Sequence, residues 1–92
     1  MLTYHAAFWT EEGVVMGKAV DFPGVIAYGK SIEEAKVSLS SALVDMAETA
    51  LLRGEALPIP DPSAVDEGAE LNEPIHLVLS AGTKVSVQVS AA

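Results

Sequence analysis

SIEEAKVSLSSALVDMAETALLRG, Ser31 to Gly54, carries a complete helix signal. Ser31 can accept a hydrogen bond from the first turn, and Glu34 three residues later completes an S-x-x-E capping box. Glu33 and Glu34 sit at the positive end of the helix dipole. Apolar residues recur at Ile32, Ala35, Leu39, Ala42, Leu43, Met46 and Ala50, steps of three and four that form one stripe. Glu33, Lys36, Ser40, Asp45 and Glu48 lie mostly off it. Arg53 suits the negative end, and Gly54 is placed to take the left-handed backbone that closes a helix. A helix over 31–53 follows, with Leu39, Leu43 and Met46 facing a sheet.

The sheet is announced upstream. Thr3 to Thr10 is rich in aromatic and β-branched residues, including Tyr4, Phe8 and Trp9. Glu11-Glu12-Gly13 supplies a turn in which Gly13 can take positive φ. Val14 to Val20 is a second apolar run. Asp21-Phe22-Pro23-Gly24 is another turn signal, and Val25 to Tyr28 a short third strand that Gly29-Lys30 ends. Three strands so closely spaced predict an antiparallel meander. In its second turn Asp21 is expected to bond the turn amides, and Pro23 and Gly24 to fix its backbone.

Downstream the character changes. Pro58, Pro60, Pro62 and Pro74 forbid regular helix between residues 55 and 74, and acids punctuate the rest, so an extended surface connection is expected. Pro74 to Ser80 reads as a fourth strand, broken by Ala81-Gly82-Thr83. Lys84 to Ser90 alternates Val85, Val87 and Val89 with polar residues and reads as a fifth. The class is α+β: a three-stranded antiparallel meander, one long helix packed on it, and further C-terminal strands, all in one domain spanning 1–92.

With 92 residues, the chain buries only ~60–65% of the surface its unfolded form exposes, so self-association would help it. Half the residues are hydrophobic, enough for a packed core. Thirteen acids against five bases give a net charge of −8, a field that repels phosphates and attracts basic surfaces. Solubility alone explains such a charge; a basic protein partner is the sharper reading. There is no cysteine, hence no disulfide and no thiolate chemistry. The first residues form no signal peptide, and no segment has the ~18 apolar residues of a membrane span. A cytoplasmic protein without membrane contact is expected.

Catalytic signals are thin. His5 and His76 lie in predicted strands with no neighbour at metal-ligand spacing, so both read as rim histidines. Ser31, Ser40 and Ser41 have no His or Lys base at recognisable spacing. Asp45 and Glu48 share part of a solvated helix face. Tyr4 and Trp9 could stack on bases, but no basic stripe accompanies them. Trp9 and the acids Glu55, Asp61, Asp66 and Glu67 are the candidates for contact with a protein partner.

The order of these elements resembles the HicB family of antitoxins. Carrying the resemblance are Glu12-Gly13, Asp21-Phe22-Pro23-Gly24, Gly29, Glu34-Ala35, and the tail from Gly54-Glu55 through Pro58, Pro60 and Pro62. It covers Tyr4 to about Pro62, with Ile75 to Val89 as the expected return to the sheet. Val20 and Val25 stand where members often carry Pro and Cys. The resemblance implies a degraded ribonuclease H-like fold, no catalysis, no cofactor and no metal. It implies a HicA-like partner, a small basic toxin that cleaves messenger RNA. Many members continue into a domain that binds operator DNA; residues 84–92 resemble the junction where it begins, so DNA contact is expected only through such a domain. The alternative is an orphan HicB-like module that associates chiefly with itself. On either reading a homo-oligomer is expected, through a sheet edge or the segment Ile75 to Val89.

Overall fold

The structure is a computed structural model and describes residues 1–79 and 85–89. The strands are β1 (Leu2–Glu11), β2 (Val14–Ala19), β3 (Ile26–Gly29), β4 (Leu71–Leu79) and β5 (Val85–Val89), with helix α1 (Ile32–Leu52) between β3 and β4. They form one antiparallel sheet in the order β3-β2-β1-β4-β5, so the meander and the return strands meet at a central β1. The expected α+β architecture is the observed one. The expected turn at Ala81-Gly82-Thr83, and the ends of the fifth strand at Lys84 and Ser90, lie outside the described residues.

Both meander turns use the glycines named above. Glu12 and Gly13 take φ of 51° and 81°, and Gly24 takes 90°. The second turn is closed by the main chain, with Val25 N donating to the Phe22 carbonyl and Ala19 N to the Val25 carbonyl. Asp21 does not bond the turn amides. Its carboxylate is used across the sheet, as described below.

The fourth strand begins at Leu71, three residues before the expected start at Pro74. Pro74 is tolerated inside it for a geometric reason. His5, its partner on β1, turns its own N–H and carbonyl toward β2: the carbonyl accepts from Val20 N and the N–H donates to Asp21. The His5–Pro74 pair therefore exchanges no hydrogen bonds, and among the described residues pairing with β5 begins at Ile75. No ladder bond among the described residues needs the missing proline N–H.

The helix is capped at both ends as its sequence predicts. Ser31 Oγ accepts from Glu34 N at 3.2 Å. At the other end Gly54 N donates to the Leu51 carbonyl and Glu55 N to the Ala50 carbonyl, a Schellman closure with Gly54 at φ 71°. The buried seam is Ala35, Leu39, Leu43 and Ala47, steps of four throughout. Met46, expected in the core, is instead 40% exposed. The four-residue seam drifts around the helix and leaves Met46 at the rim, beside Phe22 and Pro23. Under the seam lie Tyr4, Phe8, Phe22, Val25, Ile75 and Leu77. Gly29 lets the helix start close to β3: a Cβ there would stand 2.5 Å from Ala35 N.

Candidate binding surface

Side chains alternate across a strand, so β1 presents Tyr4, Ala6 and Phe8 to the helix and Thr3, His5, Ala7 and Trp9 to the other face. Met16 and Lys18 of β2, Ile26 and Tyr28 of β3, and Asn72, Pro74 and His76 of β4 share that second face by register. Ala7 is nonetheless wholly buried. Its sheet neighbours Lys18 and Asn72 both bond Asp66 of the acidic connection, which runs from the end of α1 to the start of β4 as a strap across this face.

Three polar anchors hold the strap. Asp21, whose side chain is 4% exposed, accepts from His5 N at 2.8 Å through Oδ1 and from Asp61 N at 3.0 Å through Oδ2. His5 Nδ1 also lies 2.8 Å from Oδ2; an ionised carboxylate only accepts, so Nδ1 carries the hydrogen. Asp66 meets Lys18 Nζ at 3.0 Å, and its backbone is matched on both sides by the Asn72 amide. Glu70 accepts from Thr10 N at 2.8 Å. On the helix side, Tyr4 Oη donates to the Pro58 carbonyl at 2.7 Å, beneath the start of the strap.

Hydrogen bonds set the charges here. The Ser63 hydroxyl and backbone N–H hold the Asp61 carboxyl below its ordinary value. Lys18, then the Gly68 N–H, does the same for Asp66. Burial first, and the Asp21 charge second, push the Tyr4 phenol up.

The acids singled out in the sequence thus divide. Asp61 and Asp66 are engaged in the strap, while Glu67 is exposed and Glu55 faces only Arg53 at 3.9 Å on the surface. Trp9 is half-buried on the open face, with Lys18 Nζ 5.6 Å from its ring centroid and Glu11 accepting its indole N–H at 3.4 Å. Beyond it the strap does not reach. Trp9, Met16 and Tyr28 stand side by side across three strands at one register, and Ile26 sits two pairs further on β3, on the same face. Tyr28 is 69% and Ile26 57% exposed. Met16, Ile26 and Tyr28 were not singled out in the sequence; their significance depends on β3 being an edge, which only the strand order reveals.

The His5–Asp21 pair has the geometry of an oriented imidazole, but the Ser63 hydroxyl of the strap donates to Asp61. His76 Nδ1 lies 3.0 Å from Thr3 Oγ1 on the same face. Among the described residues no group of three or more His, Asp or Glu side chains is placed to hold a metal ion. No helix among them is long and apolar enough to cross a membrane. Chemically, the surface offers an apolar and aromatic patch with acids at its borders.

An antiparallel five-stranded sheet with one long helix on one face and a strap on the other defines a compact α+β domain. The crystal structure of the N-terminal domain of Burkholderia pseudomallei antitoxin HicB has this fold: the two superpose with a TM-score of 0.68 at 21% sequence identity, covering 85% of this chain and 100% of that one. No protein-family profile and no curated protein sequence matches the chain.

Proposed function

We propose that this chain is an antitoxin domain that binds and neutralises a small basic HicA-like toxin in the cytoplasm. The observation that carries the reading is the fold, shared over 85% of this chain with the whole N-terminal domain of an antitoxin. Two further features support it. The net charge of −8 suits a basic partner, raising the association rate in a salt-dependent way. The open face exposes large apolar side chains at Ile26 and Tyr28, the type of group that anchors protein interfaces. Binding, not catalysis, is the proposed activity.

The test is co-expression with a small basic HicA-like protein from the same genome, followed by purification through a tag on that protein. Recovery of this chain in a stoichiometric complex is the expected result. Failure to co-purify at low salt, with both chains soluble, would overturn the reading and favour the self-associating module.

A further inference from the structure

Strand β3 ends the sheet, and its outer side is open. Ala19 N donates to the Val25 carbonyl, so Val25, Ala27 and Gly29 turn their backbone groups toward β2. In an antiparallel ladder the alternate residues face the other way. The N–H and carbonyl of Ile26 and of Tyr28 therefore point outward, two donors and two acceptors in a row.

The side-chain surroundings of this edge differ on its two faces. On the open face stand Ile26, Tyr28 and Met16, an apolar shelf. A groove between β3 and α1 wraps around this edge: Ile26 and Tyr28 border it on the strand side, and Glu34, Val37, Ser41 and Asp45 on the helix side. That lining contains two carboxylates and no basic side chain. Of the bases near this edge, Lys18 is engaged with Asp66 and Trp9, and Lys30, one residue past β3, is exposed.

We infer that β3 is a strand-addition site for a basic extended segment in which apolar residues alternate with Lys or Arg. An added strand sends successive side chains to opposite faces. Its apolar set would lie on Ile26 and Tyr28, and its basic set would meet Glu34 and Asp45. Charge argues against a second copy as the occupant: pairing β3 with β3 would bring together two acidic rims on chains of −8 each. The inference deepens the proposed function by naming the surface used, and rests on it only in taking the basic segment to belong to the toxin.

The experiment uses the full chain and an end-blocked eight-residue peptide alternating Val and Lys, with a Val/Glu peptide as its counterpart. The Val/Lys peptide is expected to bind, to protect the Ile26 and Tyr28 amides from hydrogen exchange, and to weaken as salt rises. Tyr28→Pro removes an outward donor that no ladder bond uses, and should weaken binding by ~10-fold or more at an unchanged Tm. Should that variant fold poorly, Ile26→Lys places a like charge on the edge and gives the same readout. Asp45→Lys should lower affinity for the Val/Lys peptide and raise it for the Val/Glu peptide. Absent binding, equal binding by the folded edge variant, or sedimentation showing that Tyr28→Pro turns a dimer into a monomer would each overturn the inference. Against the toxin the two readings separate. Equal neutralisation by wild type and Tyr28→Pro removes the β3 site and keeps the antitoxin; peptide binding without neutralisation does the reverse.

Discussion

Asp21 and His5 are joined twice: Asp21 Oδ1 takes the His5 backbone N–H and Oδ2 the His5 imidazole, each at 2.8 Å. The same carboxylate then takes Asp61 N from the strap, so one buried group ties β1, the second meander turn and the acidic connection together. Removing it leaves the His5 N–H, the His5 imidazole and the Asp61 N–H without this acceptor. Asp21→Ala should cost ~2–4 kcal/mol of stability, since bonds to a charged acceptor are worth more than neutral ones. Denaturant melts would show it. A loss under ~0.5 kcal/mol, the scale of an ordinary surface change, would mean the carboxylate is not an anchor.

Leu43 and Met46 are three residues apart on α1, but only Leu43 is wholly buried. Leu43→Ala should therefore destabilise by ~2–5 kcal/mol through lost burial and a residual cavity. Met46→Ala should cost under ~1.5 kcal/mol, because much of that side chain already meets water. Equal losses at the two positions would contradict the four-residue seam.

Gly29 is needed for space, not for backbone freedom. Gly29→Ala would press a Cβ against the backbone of Glu34 and Ala35 and force the start of α1 away from β3. The expected result is a loss of ~1–3 kcal/mol, the usual range for overpacking. Amide exchange in the first turn should quicken; unchanged exchange and stability there would refute the close approach.

The strap should loosen in acid. Asp61 and Asp66 have carboxyls held below their ordinary value in the fold, by Ser63 and by Lys18 respectively. A depressed pKa gives stability that is present above the unfolded value and is lost as pH falls through the folded one. Hydrogen exchange at Gly68 N–H and Ser63 N–H should thus speed up below the normal carboxylate range while β1 stays protected. Tyr4 has the opposite sign: its raised pKa gives stability present below the ordinary tyrosine value and lost as pH climbs through the raised one. Strap amides that keep their protection until the whole domain unfolds in acid would argue against this local role.

Much of this architecture is written in short-range signals. The Ser31 cap on Glu34 N, the glycine at 54 and the two meander turns act within a few residues, and they set the elements correctly. What failed to show locally was long-range. Pro74 marked a boundary by its own chemistry, yet it fits inside β4 because the opposing His5 faces away. Asp21 looked like a turn residue because its local neighbours are turn residues; its true partners, His5 and Asp61, lie 16 and 40 positions away. Asp61 and Asp66 looked free in a polar run, and only the fold brings Lys18 and Asn72 under the strap. The exposure of Ile26 and Tyr28 follows from strand order, which no segment of sequence states by itself.

Neutralisation itself is the most direct test of the antitoxin assignment. A purified small basic HicA-like protein from the same genome would be given a labelled RNA, and this chain titrated in at low and at high salt. The assignment predicts that cleavage falls to background near stoichiometric addition, and that more chain is needed as salt rises. Cleavage that continues unchanged with this chain in large excess at low salt would contradict it.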